Sequence, residues 1–283
     1  MNTEPLYSER AAAGGLDYYV GPEIVDGLHQ ALGAAGLDPT ALDIDDLALL
    51  DEFHALGRAA TVALAELAGV RPGDRVLDIG AGIGGPARFL AARHGAYVTA
   101  LDATPRFCRA AELLTSGAGL TERVTVVCGD ALALPFADAW FDLAWSQAVS
   151  QNIADKQRFI AEAVRVLRPG GRLALFEVVA GPGGALELPV PWADHEDQSW
   201  LVSGEALREL LVAASLEIVA WNAGPAALAT IAAAAPSLPA PRADHPLGLD
   251  ILMPDYEERM AGLVRNVGQG RIALVQAVAR RRD

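Results

Sequence analysis

Between residues 75 and 179 short apolar and β-branched runs alternate with helix-length segments, the pattern of βαβ units wound around a parallel sheet. The runs predict strands at 76–79, 97–101, 124–128, 141–145 and 173–179. The connectors carry matching signals. Pro86 suits the first turn of a helix that Gly95 can end, and Thr104 followed by Pro105 reads as N-cap and first helical residue. Asp155 can cap a helix running to residue 167, and Arg168-Pro-Gly-Gly171 turns the chain into the next strand. Two further strand-like runs, 216–221 and 272–279, bring the total to seven.

The flanks are less regular. Residues 1–70 read as an N-terminal helical cap, with a continuous amphipathic stretch over 47–68. Residues 71–222 read as the ligand-binding core and 269–283 as a final core strand with a tail. Between them, 223–268 is an insertion: Ala-rich, then Pro-rich over 236–246, then helix-like. An insertion of that length in an α/β domain is expected to be a lid or acceptor-binding element.

Composition narrows the function. With 52% hydrophobic and 20% charged residues the chain is globular rather than disordered. Its 22 Lys+Arg against 36 Asp+Glu give a net charge of −14, which argues against nucleic acid or an anionic membrane as partner and for a small molecule. Cys108 and Cys128 make no disulfide framework and no zinc motif. The first ten residues do not read as a secretory signal, and the longest apolar run, 226–235, falls short of the roughly 20 residues that cross a bilayer. A cytoplasmic protein is expected. Lys156 is the sole lysine, so no GxxxxGK phosphate loop exists and any Schiff-base chemistry must use that residue.

The most informative stretch is Val76-Leu-Asp-Ile-Gly-Ala-Gly-Ile-Gly-Gly-Pro-Ala87, a strand ending in glycines that open a helix. Glycines there let the chain turn sharply and let a ligand lie against bare peptide groups. Gly80, Gly82 and Gly85 satisfy GxGxxG, and Asp102 at the end of the second strand can take both hydroxyls of a ribose. The glycine pattern alone does not separate NAD from S-adenosylmethionine. Asp78 does so by charge: a carboxylate two residues before the first glycine repels a pyrophosphate but suits a ligand bearing an ammonium and a sulfonium. Asp130, ending the third strand, can accept from an adenine amino group, and no Tyr-xxx-Lys pair exists because Asn152 stands four residues before Lys156.

With these motifs in order, the chain resembles class I S-adenosylmethionine-dependent methyltransferases, the group that includes ubiquinone/menaquinone, sterol and glycine–sarcosine methyltransferases. The similar segment spans 51–184, including the glycine turn, Gly129-Asp-Ala131, Leu134-Pro-Phe136, Trp140-Phe-Asp142 and Val166-Leu-Arg-Pro-Gly-Gly171. The resemblance implies a Rossmann-like, doubly wound seven-stranded sheet whose last strand is antiparallel and inserts between the fifth and sixth. It implies S-adenosylmethionine as cofactor, leaving as S-adenosylhomocysteine. It places Asp78, Gly80, Ala81 and Gly82 around the methionine end, Asp102 and Ala103 at the ribose, Asp130 and Ala131 at the adenine, and Gln147 between cofactor and acceptor. No metal is implied.

Methyl transfer from a sulfonium is an in-line displacement, so the protein chiefly aligns two ligands and excludes water, and a base is optional. Where many relatives carry an acid or histidine after the glutamine, this chain has Ala148. His54, in Asp51-Glu-Phe-His54, resembles a family Asp-Gln-Phe-His stretch and is a candidate base; the alternative is a histidine on a helix surface. His195 sits in a polar loop after the fifth strand that could overhang the site, and its acidic neighbours read as solvated rather than metal-binding. Tyr18 and Tyr19 are candidates to close over the ligand. Leu247, Leu249, Ile251, Leu252 and Met253 would together make an apolar acceptor pocket, which would favour a lipophilic acceptor, or a contact between two copies of the chain, while helix packing is the plainer reading of any one of them. Two other readings stay open: a cofactor-binding relative with a non-methylating reaction such as cyclisation, and a binding protein without turnover.

Overall fold

A computed structural model describes residues 24–234, 246–253 and 255–282. Tyr18, Tyr19 and most of the Pro-rich stretch lie outside the described residues. The core strands are β1 (Arg75–Ile79), β2 (Tyr97–Asp102), β3 (Val124–Cys128), β4 (Phe141–Gln147), β5 (Leu167–Ala180), β6 (Leu216–Ala223) and β7 (Ile272–Arg281). They form one sheet in the order β3-β2-β1-β4-β5-β7-β6. β1 to β5 pair in parallel, and β7 runs antiparallel to both neighbours, between β5 and β6 as expected.

Each central strand feeds two cores, as a parallel sheet covered on both faces must. Val76, Leu143, Trp145, Ala174 and Phe176 enter one cluster, while Leu77, Ile79, Ala144, Leu173 and Leu175 enter the other. The first face carries α3 (Gly57–Ala68), α4 (Gly85–His94) and α8 (Pro225–Ala234). The second carries α6 (Lys156–Val166) and α7 (Gly204–Ala213). α5 (Pro105–Gly117) lies along β2 and β3, and α9 (Tyr256–Gly268) leads into β7. Asp155 caps α6 by accepting from Arg158 N, and Gly95 ends α4 at φ 68°, as the sequence predicts.

Four local expectations need correction. The stretch 47–68 is not one helix: α2 (Ala48–Asp51) and α3 are separated where Leu56 and Gly57 adopt left-handed φ values of 68° and 53°. Arg168-Pro-Gly-Gly171 is not a turn before the strand. Leu167 already pairs with Phe141 and Arg172 with Leu143, so these residues form a bulge within β5. Thr104 opens α5 without capping it through its side chain; its N–H instead donates to Asp102 Oδ1 at 2.8 Å. Finally, Leu247 and Leu252 do not line an acceptor pocket. They are buried with Leu28 and Leu32 of α1 (Val25–Ala34), Leu47, Leu50 and Phe107, so this part of the insertion holds α1 and α2 against α5.

That helical layer is clamped to the sheet by charge and by a missing side chain. Arg88 on α4, 0% exposed, donates to Asp51 Oδ1 at 2.5 Å and to Ile83 O at 2.8 Å. A Cβ at Gly85 would lie 2.0 Å from Asp51 O, so α4 approaches this close only because Gly85 has none. Gly85→Ala is expected to destabilise the protein by about 1–3 kcal/mol in urea unfolding, the usual range for overpacking. Gly33→Ala on exposed α1, where a Cβ meets nothing within 4 Å, is expected to be neutral or slightly stabilising. Equal effects of the two substitutions would contradict the close approach.

Candidate active site

The chain leaves β1 toward β2 and β3 on one side and returns through β4 on the other, so the carboxyl ends of β1 and β4 open a crevice. A cavity of about 440 Å³ occupies it. Gly80, at φ 73°, turns the chain out of β1, and a Cβ there would lie 2.3 Å from Val149 Cγ2. Gly80 N and Ala81 N both donate to Leu101 O, at 2.8 and 3.0 Å, tying the turn to β2. Gly82, at φ 55°, has no protein atom within 4 Å of where a Cβ would project.

Asp102 fixes the other side of this turn. Its Oδ2 accepts from Gly82 N and its Oδ1 from Thr104 N, both at 2.8 Å. Burial pushes its carboxyl above the ordinary range against the pull of those bonds. Asp78 has no such help. It projects to the same sheet face as Val76, is buried, lines the cavity, and its Oδ2 has no hydrogen-bond partner. Burial, together with the charges of Asp102 and Glu52, pushes it up to about 8. Ala103, Asp130 and Ala131 line the same cavity, and Asp130 Oδ1 accepts from Leu132 N at 2.8 Å. The cofactor-side residues expected from the sequence are therefore gathered in one crevice.

The expected catalytic residues fare differently. Gln147 lines the cavity; its Oε1 accepts from Trp145 Nε1 at 2.9 Å and Thr61 Oγ1 at 3.2 Å, and its Nε2 has no partner. His54 also lines the cavity, but its side chain is only 3% exposed, so it is not a surface histidine. Its Nε2 lies 2.9 Å from Glu52 Oε2 and its Nδ1 3.2 Å from Ala55 O. A neutral imidazole has one N–H, so the ring donates to one of these oxygens and keeps a lone pair on its other nitrogen; Thr61 Oγ1 also lies 3.2 Å from Nε2, and the candidate base is held at the cavity wall. Burial alone would raise Glu52, but the hydrogen bond and charge of His54, with Arg58 and Thr61, draw it down to about 2. His195 is exposed and does not line the cavity, whereas Trp200 of the same loop does.

Two buried ionic residues hold the loop after β4: Glu177, which the sequence reading passed over, and Lys156, whose role it did not show. Glu177 on β5 accepts from Ser146 Oγ at 3.0 Å and, at its other oxygen, from Val149 N, Ser150 N and Ser150 Oγ at 3.2, 2.9 and 2.8 Å. Lys156, 5% exposed, donates to Ser150 O at 2.9 Å, Ile153 O at 2.8 Å and Trp200 O. All three ammonium hydrogens are engaged, so the sole lysine is a tie for the cavity wall rather than a nucleophile. Burial brings it down to about 8 despite the field of Glu177. Ala148 sits between these anchors at φ 55°, a left-handed conformation uncommon for alanine.

Residues 77–175 match the family model described as a methyltransferase domain. The chain is 39% identical to 27-O-demethylrifamycin SV methyltransferase of Amycolatopsis mediterranei (strain S699), over 47% of this chain and 51% of that protein. It is 38% identical to the tocopherol O-methyltransferase of Arabidopsis thaliana, over 36% and 29% of the two chains. The chain spans about half the length of the curated bacterial relatives it matches, methyltransferase GfsG of Streptomyces halstedii included, at 48%. Among solved structures, the 4+2 cyclase SpnF superposes with a TM-score of 0.61 at 24% identity, over 91% of this chain and 93% of that one. Geranyl diphosphate C-methyltransferase from Streptomyces coelicolor A3(2) gives 0.61 at 17%, over 80% and 76%. The fold is thus the Rossmann-like α/β type with an antiparallel last strand. Within it, residues 77–175 are the segment that is similar to the methyltransferase-domain family.

Asp78 gives the site a pH signature. Because its folded pKa lies above its unfolded one, its contribution to stability is full below the ordinary carboxylate range and is lost as pH rises through about 8. Asp78→Asn is therefore expected to raise the melting temperature of the ligand-free protein at about pH 9, with the gain fading toward about pH 5. A difference that does not change with pH would contradict the buried, unpartnered carboxylate.

Proposed function

We propose that the chain transfers a methyl group from S-adenosylmethionine to a small, largely apolar acceptor. The observation that carries this reading is Asp78, a buried carboxylate with an unpartnered oxygen beside a side-chain-free glycine turn. A dinucleotide's pyrophosphate would find no cation there and would hold the proton on Asp78 more tightly, whereas an ammonium and a sulfonium draw that proton off and supply the missing counter-charge. The residues fit the cofactor. Asp78, Gly80, Ala81 and Gly82 would hold its methionine end, Asp102 and Ala103 its ribose, and Asp130 and Ala131 its adenine, while Gln147 Nε2 offers a free N–H.

When bound, S-adenosylmethionine supplies a methyl electrophile on a positively charged sulfur. The chain's own residues then position and shield. Glu52, His54 and Thr61 fix Gln147 from the helical side, and Glu177 and Lys156 fix the loop that carries Val149, Asn152 and Ile153. Phe53, Ile83, Phe107, Leu132, Ile153 and Trp200 give the cavity apolar walls that exclude water. Five aspartates, Asp51, Asp78, Asp102, Asp130 and Asp155, line the same space, which disfavours phosphorylated or carboxylate acceptors. Alignment supplies the main part of acceptor activation, with His54, oriented at the cavity wall by Glu52 and Ala55 O, as the candidate base. Relatives named for rifamycin and tocopherol substrates support a lipophilic acceptor. Free Cys108 and Cys128 agree with a reducing, cytoplasmic setting.

A second reading, non-methylating chemistry on a bound cofactor, draws support from the SpnF likeness. Incubation with S-adenosylmethionine and a panel of lipophilic alcohols, phenols and amines separates the two. Methyl transfer yields S-adenosylhomocysteine in proportion to methylated product; acceptor conversion without S-adenosylhomocysteine would establish the alternative. Asp102→Ala is expected to lower cofactor affinity in calorimetry by roughly 10- to 150-fold, the equivalent of about 1.5–3 kcal/mol for a lost charge-assisted hydrogen bond. Unchanged affinity would mean that the ribose is held elsewhere.

A further inference from the structure

The two cysteines meet behind the ribose end of the cavity. Cys128 ends β3 and is the register partner of Asp102, one strand away. Cys108 lies one turn into α5, and its Sγ is 3.4 Å from Asp102 O. Asp102 O also accepts from Gly129 N at 2.9 Å, so the Cys108 sulfur and the residue after Cys128 meet at one carbonyl. Their exposures differ: Cys108 is buried and Cys128 exposed. The residues that follow Cys128, Gly129 and Asp130, line the cavity. Cys108 sits four residues beyond Thr104, whose N–H is held by the carboxylate that also holds Gly82.

We propose that Cys108 and Cys128 are a modification site, forming a reversible disulfide under hydroperoxide that closes the ribose end of the cavity. The chemistry follows from the placement. The exposed Cys128 is the sulfur that a hydroperoxide reaches. Its thiol is drawn below its ordinary pKa chiefly by the neighbouring Cys108 thiol, against burial and the Asp102 charge, with a smaller pull from the Arg109 charge. The Cys128 thiolate sulfur attacks the peroxide, the O–O bond breaks, and the departing oxygen leaves as water or an alcohol once protonated. The sulfenic acid formed faces Cys108. The Cys108 sulfur gives up its proton and attacks it; the S–O bond breaks and water leaves. Two thiols are oxidised by two electrons and one hydroperoxide is reduced.

The product cannot leave the site as it was. The two sulfurs must close to about 2.05 Å, and Cys108 loses the hydrogen it donates to Asp102 O. The start of α5 is thereby pulled toward β3, and the pull reaches Asp102 and, through its carboxylate, Gly82. The gating part of the proposal rests on the cofactor reading given above; the thiol chemistry does not.

The test uses the whole chain, reduced and then treated with hydrogen peroxide, alongside Cys108→Ser and Cys128→Ser. Peptide mapping without reductant is expected to give one linked species joining the two cysteines, lighter by two hydrogens, reversed by dithiothreitol. Calorimetry with S-adenosylhomocysteine is expected to show affinity falling by roughly tenfold or more on oxidation and returning on reduction. Both serine variants should bind alike before and after peroxide. Sulfinic or sulfonic acid at Cys128, or links between chains, with Cys108 still a thiol would overturn the disulfide. A linked peptide with unchanged affinity would overturn the gating. Failure of the reduced protein to bind S-adenosylhomocysteine would instead defeat the cofactor reading and the gating together, while the peptide map still decides the disulfide.

Discussion

A carboxylate removed from water without a partner is costly, and Asp78 is such a group at the edge of a parallel sheet. No cation among the described residues relieves it: Asp102 and Glu52 add like charge, and the glycine turn beside it brings no charged or polar side chain. Proteins rarely keep such an arrangement for stability, and perturbed, desolvated acids cluster where ligands bind. The rest of the site can be understood as the apparatus that keeps this acid in place and leaves its open oxygen facing the cavity. Asp102 spends one lone pair of each oxygen on the turn, and Val149 packs where a Gly80 side chain would be.

The wall opposite depends on buried charges of a different kind. Glu177 gathers the N–H and O–H donors of the loop after β4, and Lys156 gathers its carbonyls together with that of Trp200. Each ion is satisfied by dipoles rather than by a direct counter-ion, which converts an irregular loop into a wall of fixed shape. On the helical side Arg88 and Arg58 serve Asp51 and Glu52, so the layer above the sheet is clamped by ion pairs that are buried from water. Breaking any one leaves a charge uncompensated, so rigidity here comes from mutual dependence.

Much of this was legible in the sequence, for identifiable reasons. Strand alternation, the capping Asp155 and the closing Gly95 act over a few residues, so their signals are local. Asp78, Asp102 and Asp130 announced themselves as acids at strand ends. The placement of β7 came with the family resemblance, since no local pattern specifies a strand's neighbour. Apolar periodicity runs on through residues 52–56, so the break at Leu56 was hidden although Asp51, Phe53 and His54 just before it line the cavity. Glu177, alone in an apolar strand, was a signal passed over, and Lys156 was noticed without its role, because three carbonyls converge on it only in the folded chain. His195 drew notice as a histidine in a loop, but that loop gives Trp200 to the cavity.

The central claim, that Asp78 is kept for a cationic ligand, is tested most directly by counting protons on binding. S-adenosylmethionine is titrated calorimetrically at about pH 6.5, where its own ammonium is essentially formed, in buffers of differing ionisation enthalpy. The account predicts release of nearly one proton per cofactor bound, as the ligand's charge draws the proton from Asp78, and loss of that release in Asp78→Asn. Binding with no proton release, or with the same release in the variant, would contradict it.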